Sequence, residues 1–438
     1  LQTGHATSIK VVIVENSITS TDMFQDGNTD IRDIRPLPRL NIDAFCETDA
    51  GLSVLQACSQ DRRLTRTRWQ IRSGGINTAL EAYHSSSTPH LIILESAAGP
   101  EQLLADITRL AEVCDSGTRV LIIGRSNEVR LYRELIRNGV SDYLVSPASL
   151  SEVISVLDTL FADPSTAPSG RSIAVIGAKG GTGSSTLAHN ISWSLANQFK
   201  HEVVLADMDL PFGTVNINFD QDPTLGIADA VYAPERVDEV YLDRLLAESS
   251  EHLSLLAAPS TLEKTYDFEA DSFVSVIESA LRTTQLLVLD MPHSWNSWTR
   301  TTLMQADEII IVATPELACL RNTKNLLDTL ILLRPNDRPA HLILNQTGVP
   351  KRPEISAADF CSPLNIKPLA VIEFDPQFFG TAANNAHMLG EADPNHKISQ
   401  KITEIARELL GKQDVPDEAK KSSPLTGLLS KLKRKPSA

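Results

Sequence analysis

Positive charge is scarce in this 438-residue chain: 40 lysines and arginines stand against 55 aspartates and glutamates, a formal net charge of −15. Affinity for nucleic acid rests on neutralising backbone phosphates with Lys and Arg, so no specific DNA binding is expected. Cysteine is sparse as well. Cys46, Cys58, Cys114, Cys319 and Cys361 are scattered with no C-x-x-C pair, which argues against a disulfide framework or a zinc site and fits a reducing cytoplasm. No apolar run approaches the ~18 residues of a membrane span, and no signal peptide is recognised. The sequence opens on Leu1 rather than methionine.

What remains is a chain with material for packed cores. Apolar residues make up 42%, and the length predicts two or three domains. Residues 1–38 are expected to be a poorly ordered leader in which Lys10–Val14 could pair as a strand. From Arg39 onward, strand candidates at Leu40–Cys46, Arg68–Arg72, His90–Leu94, Arg119–Gly124 and Asp142–Val145 alternate with helical patterns. Those helices are predicted over Ala50–Asp61, Ile76–His84, Pro100–Cys114, Asn127–Asn138 and Ser149–Phe161, with Gly139 capping the fourth. Five βα units within 39–162 predict a doubly wound sheet of flavodoxin-like order. Residues 163–170 (DPSTAPSG) have linker composition. A second, larger α/β domain with a mostly parallel sheet is expected over 171–410. Its strands are predicted at Ser172–Gly177, Glu202–Asp207, Leu253–Ala257, Gln285–Asp290, Glu308–Ala313, His341–Asn345 and Leu369–Ile372.

A missing lysine is the most informative absence. The ordinary phosphate loop is G-x-x-x-x-G-K-[ST], in which backbone N–H groups cradle phosphates and the lysine reaches the outer ones. Here the stretch Ala178-Lys179-Gly180-Gly181-Thr182-Gly183-Ser184-Ser185-Thr186 puts Ala178 at the first glycine and Ser184 at the lysine. A short apolar run, Ser172–Gly177, precedes it, and Leu187, Ile191 and Leu195 follow at helical spacing. Strand, glycine-rich turn and helix together point a helix N-terminus at an anion. Lys179, early in the loop, replaces nothing in the ordinary pattern.

Carboxylates close the next strands. Asp207-Met208-Asp209 follows the strand after the loop, and Asp290 ends the apolar Leu286–Leu289. An aspartate there is a Walker B candidate for holding Mg²⁺, usually through water. Ser185 would be the direct magnesium ligand and Thr186 an inner-phosphate contact. Asn345 ends one strand, and Phe374-Asp375-Pro376 follows another.

An early loop lysine before Gly-Gly resembles the deviant Walker A motif of the ParA/MinD family of dimerising ATPases. That resemblance implies ATP and Mg²⁺ as cofactors and a homodimer in which Lys179 reaches the partner's nucleotide. It also implies that Asp209 orients the attacking water, that Asp207 supports the metal and loop, that Asn345 recognises adenine, and that Phe374, Asp375 and Pro376 cover the base. The first domain resembles a response-regulator receiver without its chemistry. Glu95 stands at the phosphoacceptor aspartate, Ser146 at the lysine before Pro147, and only Glu47 remains of the acidic cluster. Aspartyl phosphorylation is not expected. Glu95 is either a mimic of the phosphorylated state or an ordinary solvated glutamate.

The combination points to one branch. An atypical receiver precedes a loop with serine for lysine. Asp209 with Phe212-Gly213, Leu320-Arg321-Asn322-Thr323-Lys324-Asn325, and Phe374-Asp375-Pro376 with Phe379-Gly380-Thr381-Ala382-Ala383-Asn384-Asn385 follow. Over residues 39–410 this is similar to the CpaE/TadZ family, localisation proteins of the tight-adherence (Flp type IVb) pilus. The resemblance implies a dimeric ATP-binding scaffold for pilus assembly, with slow or absent hydrolysis. Its partners would be the secretion ATPase and inner-membrane platform of that machine. The alternative is an active ParA/MinD-like ATPase that positions cargo by nucleotide cycling. A cytoplasmic protein is expected, peripheral at the inner membrane or cell pole. In the tail, 411–438, Leu425, Leu428, Leu429 and Leu432 share helical spacing beside Lys431, Lys433, Arg434 and Lys435. Residues 425–435 are therefore a candidate membrane contact.

Overall fold

The computed structural model describes residues 31–34, 36–84, 86–161 and 170–411. The strand expected at Lys10–Val14, the linker as far as Ser169 and the basic tail lie outside them.

Five strands form the first sheet: β1 (Asn41–Cys46), β2 (Arg68–Ser73), β3 (Leu91–Ser96), β4 (Arg119–Gly124) and β5 (Asp142–Val145). All pairs are parallel, in the order β2-β1-β3-β4-β5. This is the flavodoxin-like order expected from the alternating pattern. β3 is buried along its whole length, as a central strand covered on both faces must be. Leu55 and Leu157 pack on one face, and Ile107 and Leu135 on the other. The helix Val129–Arg137 ends as predicted. Gly139, at φ +89°, lets its own N–H reach Ile136 O while Val140 N reaches Leu135 O. That pair of bonds is a Schellman closure.

Eight strands form the second sheet. They are β6 (Arg171–Gly177), β7 (Val203–Asp207), β8 (Ala247–Ser250), β9 (Leu253–Leu256), β10 (Leu286–Met291), β11 (Glu308–Ala313), β12 (His341–Thr347) and β13 (Ala370–Glu373). Their order is β13-β12-β11-β6-β10-β7-β9-β8, parallel except for β8 against β9. β8 was not predicted; its sequence, AESS, has neither alternation nor β-branched residues, and only pairing with β9 makes it a strand. Helices cover both faces over two apolar cores. The loops following β6, β7 and β10 gather at the carboxyl ends of the central strands, where open α/β sheets bind ligands.

The two sheets meet at the opposite end. Arg62 donates Nε to Asp337 Oδ1 at 2.8 Å and Nη1 to Asp307 Oδ1 at 2.9 Å. Arg63 bridges Asp61 and the same Asp337 oxygen, at 2.8 and 2.7 Å. Arg334 takes Asp337 Oδ2 at 3.0 Å. Asp307 also accepts from Ser172 N and Oγ at the start of β6. The receiver-like unit therefore sits below the amino ends of the second sheet, away from the loop.

Candidate functional site

The phosphate loop is built as the sequence predicts and is held from several sides. β6 ends at Gly177, and the helix Ser184–Trp193 begins after Gly183. Gly181 and Gly183 have φ of +80° and +86°, a conformation that side chains rarely tolerate. A Cβ on Gly183 would also lie 2.6 Å from Asn345 Nδ2. Four side chains grip loop carbonyls: Asn345 Nδ2 to Thr182 O at 2.8 Å, Gln346 Nε2 to Gly181 O at 3.0 Å, Asn322 Nδ2 to Ala178 O at 2.8 Å, and His293 Nδ1 to Gly177 O at 2.9 Å. The loop N–H groups thus stay at the helix N-terminus, where the helix dipole favours an anion.

The acidic residues come together beside it. Asp207 and Asp290 are register partners on β7 and β10, 1% and 2% exposed. Burial, with Asp290 next to it, pushes the Asp207 carboxyl above its ordinary range. Asp207 organises the segment that follows: Oδ1 accepts from Asp209 N and Oδ2 from Val215 N, each at 3.1 Å. Asp209 is half-buried, and its Oδ1 accepts from Phe212 N at 3.3 Å. Partial burial raises its pKa as well. Ser184, Ser185 and Thr186 form the first turn of the loop helix, partly accessible.

Three buried polar atoms around this site lack a hydrogen-bond partner among the described residues: Thr182 Oγ1, Asp290 Oδ1 and Asn345 Oδ1. Such an atom costs about 1–3 kcal/mol when nothing pairs with it. Asp290 keeps one carboxylate oxygen available, and the Ser185 hydroxyl lies on the first turn. This donor set fits a phosphate group carrying Mg²⁺, and Ser185 and Asp290 are the residues that could hold the metal.

Lys179 does not enter its own site. Its Nζ meets Glu316 Oε1 at 2.5 Å, and Glu316 precedes the helix Leu317–Leu333. The hydrogen bond to Glu316 raises the lysine pKa and lowers that of the glutamate. Asn345 is nine-tenths buried and commits its amide nitrogen to the loop, a scaffolding role the sequence did not suggest. Asp375 caps the helix Pro376–Asn384 by accepting from Phe378 N, with Pro376 at its first position. Phe374 is exposed, and its N–H is tied to Thr347 O at the end of β12.

In the first unit, Glu95 is neither solvated nor free. It is 4% exposed; Oε2 accepts from Glu47 N at 3.0 Å and Thr48 N at 2.9 Å, and Oε1 from Thr48 Oγ1 at 2.6 Å. Glu47 returns the contact, accepting from Ala97 N at 2.7 Å. The solvated alternative is thus corrected: the longer side chain fills the place where receiver chemistry would occur and pins the loop after β1.

Comparison with known proteins agrees with this geometry. The AAA domain family matches residues 170–340. The chain is 29% identical to the septum site-determining protein MinD of Synechocystis over 258 residues, 56% of this chain and 91% of that protein. A ParA family ATPase from Chlorobium tepidum is 24% identical over 55% of this chain and 98% of its own, at TM-score 0.50. A pilus assembly protein CpaE from Caulobacter crescentus is 38% identical over 30% of this chain and 98% of its own, at TM-score 0.29. The larger unit is a P-loop nucleotide-binding domain. More particularly, it is an ATPase domain of the ParA/MinD superfamily, whose members' capacity for ATP and Mg²⁺ the donor set described above fits.

Sequence reasoning missed Gln346, Asn322, His293, Glu316 and His189. Asn322 fell within a motif used for resemblance, but its bond to Ala178 O was not legible. Gln346, His293 and Glu316 come from separate elements, and no spacing links them to the loop; His189 lies on the loop helix, but its contact with Asp290 spans 101 positions.

Proposed function

We propose that this chain is a positioning ATPase of the ParA/MinD kind, whose location depends on bound nucleotide through dimerisation. The observation that carries this is the set of unpartnered polar atoms, Thr182 Oγ1, Asp290 Oδ1 and Asn345 Oδ1, gathered around a phosphate loop. Backbone N–H groups of Lys179–Thr186 hold the phosphates, and Ser185 and Asp290 hold Mg²⁺, which supplies charge neutralisation. Asn345 Oδ1 offers an acceptor to an exocyclic base amine, while Phe374, Asp375 and Pro376 border the base. Asp209 orients the water, and Lys179 leaves Glu316 to reach the partner's nucleotide. The test is titration with ATP or a non-hydrolysable analogue, with and without Mg²⁺, read by sedimentation. Mg²⁺-dependent binding with dimer formation is expected; a monomer at saturating nucleotide overturns the proposal.

The MinD relatives give more support to positioning by nucleotide cycling than to the pilus scaffold expected first from sequence. The pilus reading keeps one specific observation, Ser184 at the lysine position together with a preceding receiver-like unit. Losing a charge-assisted bond removes roughly 1.5–3 kcal/mol of interaction. Losing a stabiliser of transition-state charge lowers rates on the order of 10²–10³-fold. On this reading the dimer persists, recruits the secretion ATPase and membrane platform of a tight-adherence pilus, and docks residues 425–435 on an anionic inner-membrane surface. Turnover separates the two: sustained hydrolysis favours cycling, and a long-lived ATP dimer favours the scaffold. No described helix is long and apolar enough to cross a membrane. Membrane contact is therefore a matter for vesicle co-sedimentation with and without ATP.

A further inference from the structure

His189 lies on the loop helix, four residues after Ser185, and is 1% exposed. A ring buried there is not required by the phosphate loop, whose contacts come from backbone and hydroxyls. Its Nε2 lies 3.2 Å from Asp290 Oδ2, and its Nδ1 lies 2.9 Å from Asn218 Nδ2. With the amide placed this way, Asn218 Nδ2 is a donor, bonded also to Thr214 Oγ1 at 3.3 Å. Nδ1 therefore accepts, and the ring proton on Nε2 is given to Asp290. The Asp290 carboxylate is thereby divided: Oδ2 is occupied by His189, and Oδ1 is the oxygen left without a partner. Phe219 packs against the ring at a centroid distance of 5.8 Å and limits its rotation.

Asn218 closes the segment that Asp207 opens. That segment starts at Asp209, held by Asp207 Oδ1, passes Val215, held by Asp207 Oδ2, and ends on His189 through Asn218. The ring thus joins the loop helix, the strand carrying Asp290 and the segment carrying Asp209. We infer that His189 is a positioning residue that orients the Asp290 carboxylate for Mg²⁺ and couples metal occupancy to the segment 209–218. Groups that orient metal-binding side chains are worth roughly 10–100-fold in metal affinity.

The inference rests on the nucleotide reading above, so the parent chain is the control. Binding of a fluorescent ATP analogue is measured at fixed protein across a Mg²⁺ series and again in EDTA, for the parent, His189→Phe and His189→Gln. Phenylalanine keeps a ring in the space but has no donor; glutamine keeps an N–H donor. His189→Phe is expected to raise the Mg²⁺ concentration for half-saturation about tenfold or more. His189→Gln stays closer to the parent, and the Kd in EDTA is the same for all three. The positioning role is overturned if the Mg²⁺ midpoint of His189→Phe matches the parent, if glutamine is as impaired as phenylalanine, or if the EDTA Kd shifts equally. A parent with no Mg²⁺-dependent binding overturns the nucleotide reading along with it.

Discussion

Lys179 and Glu316 form an ion pair at 2.5 Å across the mouth of the phosphate loop, within one chain. On the proposed cross-subunit role, Lys179 has to leave this carboxylate before it reaches a partner's nucleotide, so the pair would oppose dimerisation. Glu316→Gln should tighten the ATP-dependent dimer, and Lys179→Ala should weaken it. Sedimentation velocity at matched nucleotide reads both. Equal dimer affinity in parent and Lys179→Ala would remove the cross-subunit role.

Ser184 begins the loop helix where a lysine ordinarily stands. Ser184→Lys should raise ATP turnover by up to about 10²–10³-fold, with the fold intact by circular dichroism. If the parent already turns over as fast as the lysine variant, the serine is not what limits the rate.

Gly213 has no room for a side chain. A Cβ there would lie 2.3 Å from Asp207 Oδ2 and 2.7 Å from Ala258 Cβ. Gly213→Ala should displace the carboxylate that holds Asp209 and Val215. Roughly 1–3 kcal/mol of destabilisation is expected from the overpacking, together with weaker nucleotide-driven dimerisation. Urea unfolding provides the first number; an unchanged midpoint would mean that the segment shifts freely.

Glu95 satisfies two backbone N–H groups and a hydroxyl in the receiver-like unit. Glu95→Ala should leave those donors unpaired and cost on the order of 1–3 kcal/mol, visible as a lower thermal midpoint of that unit. Incubation with a small phosphodonor should label neither the parent nor the variant. Acyl-phosphate on the parent would contradict the closed arrangement.

Asp337 receives Arg62, Arg63 and Arg334 at the junction of the two units. Burial alone would raise its pKa, but Arg62 and Arg334 hold it below the ordinary value. A depressed carboxylate contributes its stabilisation fully above the unfolded pKa of about 3.9 and loses it as pH falls through the folded one. Docking should therefore be flat from pH 5 to 8 and loosen only in stronger acid. Asp337→Ala strands buried arginines, at a cost of about 3–5 kcal/mol. It should split unfolding into two transitions and enlarge the particle in X-ray scattering.

The sequence by itself determined the parallel strands of both sheets. Short apolar runs such as LIILES and LLVLD suit strands buried on two faces, and their alternation with helical spacing favours parallel order. It also determined the loop, because Gly181 and Gly183 are needed where φ is positive, and it placed Asp207 and Asp290 at strand ends. Tertiary structure alone decided what those groups touch. β8 exists because β9 offers an edge to pair with. Asn345 turned out to brace the loop rather than stand free, because β12 lies two strands from β6 and its end reaches the Thr182 carbonyl. Glu95 closed on Glu47 and Thr48 across 48 and 47 positions of sequence. His189 met Asp290 across 101. Local periodicity carries no record of such separations; they follow from which strands become neighbours when the sheet assembles.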